Sequence, residues 1–180
     1  MKKKNSKPKL DRDCEKWAGL LEKAKVLSID PSSGSANSAP GFAYIEQGVL
    51  LESGTYFIPK GDVSERLFAL CEVLRKDFSD IEVLIIESLP PFMQSAGSSF
   101  KTRSVMNLHM SVGAIYGALG NAVVIGVPPA SGHSEAKKLD FEYVKSDEND
   151  ALILAHTVFK RADVNLTGVL NKLRSHDEKA

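Results

Sequence analysis

Three apolar runs of strand length, each cut short by proline, constrain this chain more than any other feature. KVLSID runs into Pro31, IEVLIIE stops shortly before Pro90-Pro91, and AVVIGV stops at Pro128-Pro129. Proline lacks an N–H and fixes φ, so it ends strand pairing. Runs this apolar are expected where a sheet is covered on both faces. Two of them close on an acid, Asp30 and Glu87. A carboxylate at the end of a buried strand needs a partner, because an unpaired buried charge is costly.

The remaining elements follow from period and punctuation. Residues 11–23 read as a short amphipathic helix, and 25–30 as the first strand. The Ser/Gly/Pro-rich stretch 31–40 reads as loop. GFAYIEQGVLLESGTYFI reads as two strands joined by a turn at Gln47-Gly48. Asp62 or Ser64 caps a helix to about Phe78, with Leu67, Leu70, Cys71 and Leu74 on one face. Residues 81–87 form a fourth strand, 102–119 a long helix ending at Gly120, and 122–127 a fifth strand. A short helix is expected at 134–139, one capped by Ser146 over 147–161, and a last one over 164–174. The order is three meandering strands, then two strands reached by helical crossovers. Right-handed crossovers place the fourth strand parallel beside the first. Asp30 and Glu87 then end side by side, where ligand sites of open α/β sheets collect.

Asp147 and Asp150 open the segment DENDALILAHTVF at i and i+3, so they share a helix face. Alone, such a pair is ordinary first-turn chemistry favoured by the helix dipole. Together with Asp30 and Glu87 it makes a four-carboxylate cluster that repels itself unless divalent cations fill it. Oxygen-only donors suit Mg²⁺, which supports phosphodiester hydrolysis by two ions ~4 Å apart. Asp30, central in this arrangement, is the expected bridge between them.

Composition bounds the rest. The chain has 180 residues, 43% hydrophobic, which suits one core. We expect a basic arm and short helix over 1–24, a nuclease domain over 25–162 and a C-terminal helix and tail over 163–180. No apolar stretch approaches a membrane span, and the lysine-rich start lacks an apolar segment behind it. Cys14 and Cys71 have no Cys-x-x-Cys spacing and read as reduced thiols of an intracellular, cytoplasmic protein. Net charge is zero, but five lysines fall in the first ten residues, leaving eighteen basic groups against twenty-three acidic ones. The arm is a candidate for non-specific DNA contact or for solubility.

Three strings carry a family resemblance. VLSIDPSSGSANSAPGFAYI resembles the opening strand, loop and second strand of the RuvC family of Holliday-junction resolvases. VLIIESLPPF resembles their fourth strand with its catalytic Glu, and SDENDALILAH their last catalytic segment. The resemblance covers about residues 25–160. It implies an RNase H-like fold: a five-stranded mixed sheet, three antiparallel strands then parallel ones, flanked by helices. It further implies a homodimer, branched DNA as partner, two Mg²⁺ ions (with Mn²⁺ as substitute) and symmetric nicking of four-way junctions. The four metal-binding acids would be Asp30, Glu87, Asp147 and Asp150. The chain departs from the family in its N-terminal extension and in a short segment before Asp147, about twenty residues with Lys137, Lys138 and Lys145 as its basic groups. It reads as a divergent member, bacterial, viral or organellar.

Secondary candidates each have a plain alternative. Phe92, on the loop leaving the fourth strand, would wedge or stack on junction bases, or tuck onto the core. Lys101, Arg103, Lys137, Lys138 and Lys145 would contact phosphate, or simply be solvated. Gly113, Ala114, Gly117 and Ala118 would admit a second copy, or pack on the chain's own sheet. His109 reads as surface or interface and His156 as non-catalytic, while the role of His133 is open. Three other functions remain in view: a debranching or flap nuclease or a YqgF-like RNA-processing nuclease, an actin-like ATPase (for which 180 residues are too few), and an inactive RNase H-like binding module.

Overall fold

The computed structural model describes residues 16–31, 39–56, 61–88 and 102–177. Phe92, Lys101 and the lysine arm lie outside them, as does the side chain of Arg103, which sits in the first turn of a described helix. No described helix is long and apolar enough to cross a membrane.

After helix α1 (described over 16–21) the chain builds β1 (Lys25–Asp30), β2 (Gly41–Glu46) and β3 (Val49–Thr55). There follow α2 (Val63–Asp77), β4 (Val83–Glu87), α3 (Thr102–Ala118), β5 (Val123–Val127), α4 (Pro129–Ala136), α5 (Asp147–Arg161) and α6 (Val169–Asp177). The sheet order is β3-β2-β1-β4-β5. β2 pairs antiparallel with both β1 and β3, whereas β4 pairs parallel with β1 and β5. This is the expected mixed sheet of the RNase H-like fold.

Local chemistry sets the boundaries. Gln47 and Gly48 both take positive φ, as a tight hairpin turn demands. Asp62 caps α2 in a reciprocal box with Glu65, and Ser146 caps α5 through the Asn149 N–H. Two helices differ from expectation. α4 begins at Pro129 rather than near 134, because proline is favoured in the first helical position and the pair that ends β5 also starts the helix. α6 begins at Val169 rather than 164, because the chain first bridges back to β3. Leu50 N–H donates to Thr167 O (3.0 Å), and Thr167 N–H to Gly48 O (2.8 Å).

Strand alternation divides the core in two. Val26, Val83, Ile85 and Val127 pack with Leu21 of α1 and with Leu154, Val158 and Phe159 of α5. Leu27, Ile29, Leu84 and Ile86 pack with Leu70 and Leu74 of α2 and Val112 and Ile115 of α3. Side chains two apart share a face. Ser28 and Asp30 therefore project with Val26, and Glu87 projects with Ile85, toward α5.

Candidate active site

The β1–β4 register pairs Ile29 with Ile86, so the next positions, Asp30 and Glu87, end adjacent parallel strands on one face. The N-terminus of α5 is seated over this edge by backbone contact. A Cβ at Gly41, the β2 partner of Asp30, would fall 1.7 Å from the Asp147 carbonyl oxygen. Only glycine permits that approach. Ser28, fully buried, donates through Oγ to the Ala151 carbonyl at 2.8 Å, and the Ala39 N–H donates to the Asp147 carboxylate.

The four acids act on one another. Burial, then the charges of Asp150, Glu87 and Asp147, push the Asp30 carboxyl up to about 8, with Lys145 opposing. Glu87 is raised by burial and by Asp150, against the opposing charges of His133 and Lys145. Asp147 is raised by burial and Asp150, against Lys145 and the Ala39 N–H. A hard divalent cation fits this donor set in chemistry and in sign: every donor is carboxylate oxygen, and ionisation is held back by burial and by mutual repulsion, both of which a bound cation offsets. Among the described residues, no three His, Cys, Asp or Glu side chains are arranged as a metal cage. The acids thus share a field without forming a closed shell.

The two remaining first-turn positions of α5 are structural. Glu148 accepts from Ser53 Oγ (2.6 Å) and pairs with Lys172 (3.4 Å). Asn149 is buried, donates to Val144 O (2.7 Å) and lies 2.7 Å from His176 Nδ1. These contacts fix the helix rotation that leaves Asp147 and Asp150 for the strand ends.

Of the predicted basic contacts, Lys145 faces the acids and moderates Asp30, Glu87 and Asp147. Lys138 is ion-paired with the buried Glu135 at 2.5 Å, and Lys137 lines a cavity beside Asp150. His133 lies on α4 and lines the same cavity. His156 sits instead with Lys160 and Glu135, and burial lowers its pKa. Two residues passed over in the sequence belong to the site. Tyr143 donates its hydroxyl to Asp150 Oδ1 at 2.5 Å, and Phe141 lines the cavity next to it. The only signal was an aromatic alternation, FEY, just before the Ser146 cap.

No family model matches the chain, and no curated protein does. Solved structures do. Thermus thermophilus RuvC in complex with a Holliday junction substrate is 18% identical, over 77% of this chain and 95% of that one, with a TM-score of 0.53. The yeast mitochondrial Holliday junction resolvase Ydc2 is 14% identical, over 94% and 97%, with a TM-score of 0.55. At these identities the likeness is one of fold, and the fold is that of the RuvC-like resolvases.

Proposed function

We propose that this chain is a divergent RuvC-like, divalent-cation-dependent endonuclease that resolves four-way DNA junctions by hydrolysing phosphodiester bonds. The observation that carries the reading is that Asp30 and Glu87 end adjacent parallel strands beneath the first turn of α5, where Asp30 feels the charges of Glu87, Asp147 and Asp150. Further support comes from the two structural neighbours, one a resolvase and the other bound to a junction.

Asp30, Glu87, Asp147 and Asp150 would hold the cations, Mg²⁺ or Mn²⁺. Bound there, the ions supply Lewis-acid activation of a water and stabilise the leaving oxygen. Tyr143 fixes the orientation of Asp150 through its hydroxyl. Lys145 offers its ammonium to the incoming phosphate, a role compatible with its present service to the acids. Lys137, Arg103, Lys101 and the N-terminal lysines would follow the DNA backbone, with Lys138 released from Glu135 if it joins them, and Phe92 would meet bases at the branch point. Coordinated nicks require two active sites, so the chain would act as a homodimer. On α3, Met106 and Met110 are 57% and 43% exposed, and a Cβ at Gly113 or Gly117 meets open space. That face leaves room for a second copy.

The test is cleavage of a synthetic four-way junction with Mg²⁺ by the wild type and by Glu87→Gln. Paired symmetric nicks from the wild type, with binding but no cutting by the variant, are expected. Full activity of Glu87→Gln would remove the site assignment. Equal cutting of linear duplex would remove the resolvase reading and leave a nuclease.

A further inference from the structure

Beside Asp150 lies a cavity of about 440 Å³ whose lining differs from what a phosphate track requires. Its lining combines hydrogen-bonding and basic side chains, His133, Lys137 and Lys145, with apolar and aromatic ones, Leu139, Phe141 and Tyr143. Backbone phosphates need only the first kind of surface. A lining that adds aromatic and aliphatic surface to lysines is instead suited to a base together with its phosphate.

Both aromatic walls are held in place. The Phe141 ring carries the Arg174 guanidinium 5.2 Å from its centroid, and Arg174 is in turn held by both carboxylate oxygens of Asp140 at 3.2 Å. Tyr143 is fixed by its bond to Asp150. The volume falls within the ~300–1,000 Å³ of small-ligand pockets, large enough for a nucleotide. Asp150, one of the four acids, lines the cavity together with Lys145, so the cavity borders the proposed reacting centre.

We infer that this cavity is a subsite for one unpaired nucleotide of the branched strand, adjacent to the bond that is cut. The base lies against Leu139 and Phe141, and its phosphate meets Lys137 and Lys145. The inference rests on the nuclease reading and adds a selection step: a strand is positioned for cutting only where a nucleotide can leave its stack, as at a branch point.

The experiment uses the full chain carrying Glu87→Gln, so that bound DNA stays intact, and four-way junctions with 2-aminopurine at single positions around the crossover. Emission should change at least twofold on binding at one position per strand. Phe141→Ala and, separately, Leu139→Trp, which fills the cavity, should each abolish that change. Lys137→Gln, an exposed and fold-neutral substitution, should reduce it. Junction affinity by gel shift should move less than about tenfold, since one stacked base contributes a limited share of the binding. Junction bound with no emission change sensitive to these substitutions would overturn the subsite and leave the nuclease reading standing. No junction binding at all would overturn both.

Discussion

Ser28 Oγ donates to the carbonyl oxygen of Ala151 at 2.8 Å inside the core, tying the central strand to the helix that carries two of the four acids. Asp30 lies two residues beyond Ser28, and Asp150 directly precedes Ala151. One buried hydrogen bond therefore helps set the separation of carboxylates drawn from opposite ends of the domain. Ser28→Ala should cost about 1 kcal/mol in chemical denaturation, the usual net value of such a bond. If α5 then shifts on the sheet, cleavage should fall while junction binding holds.

Asp30 gives a pH dependence with a definite sign. Its carboxyl is held at about 8 in the folded chain against 3.8 for free aspartate. Between those values the unfolded chain is the more ionised state, and the folded one holds the extra proton. Stability of the metal-free protein should therefore fall as pH rises from about 4 to about 8, by roughly 1.4 kcal/mol per unit for one proton, and level off above. Glu87 and Asp147, also raised, act in the same direction. Melting temperatures across this range with a chelator present would check the slope.

Asp30→Asn removes both the titration and the repulsion. It should melt higher than the wild type at pH 8 without metal, and lose cleavage. Mg²⁺ or Mn²⁺ should raise the melting temperature of the wild type, by about 2.7 kcal/mol equivalent at a hundredfold excess over Kd, and do so much less for the variant. Equal metal stabilisation of the two proteins would place the cations elsewhere.

Tyr143→Phe deletes a single hydroxyl and leaves the ring. The loss frees Asp150 to rotate. A residue that orients a metal-binding carboxylate typically contributes 10–100-fold in metal affinity or activity. The midpoint of the Mn²⁺ dependence of cleavage should therefore shift upward, with junction affinity unchanged. A purely structural tyrosine would alter stability and leave that midpoint in place.

Met106→Glu with Met110→Glu would put two charges on the exposed face of α3, beside Gly113 and Gly117. Sedimentation should report a shift from dimer to monomer, and paired nicks should give way to single ones. A monomeric wild type that still cuts symmetrically would remove the role proposed for this face.

Most of the fold was legible in the residues because its signals are local. Proline stops, alternation and caps are read within a few positions, and they gave the three β-meander strands, the Gln47-Gly48 turn and the start of α5 at Asp147. The crossover rule further placed Asp30 and Glu87 at neighbouring strand ends, and the β1–β4 register then put them on one face. The errors fell where a second element intervened, as in α6, whose start waits on a bridge between Thr167 and β3. The starting position of α4 was missed for a local reason, the dual use of Pro128-Pro129.

The sequence by itself determined which carboxylates stand at strand ends and a helix start, and that the parallel pairing of β1 and β4 would set Asp30 beside Glu87. Tertiary structure alone decided what surrounds them. It turned Glu148 away to Ser53 and Lys172, gave Asp150 to Tyr143, set Lys145 against the acids and opened an aromatic cavity at their side. The physical reason is separation along the chain. Periodicity fixes the face a side chain takes, but its partner is chosen by packing between segments that no local pattern links.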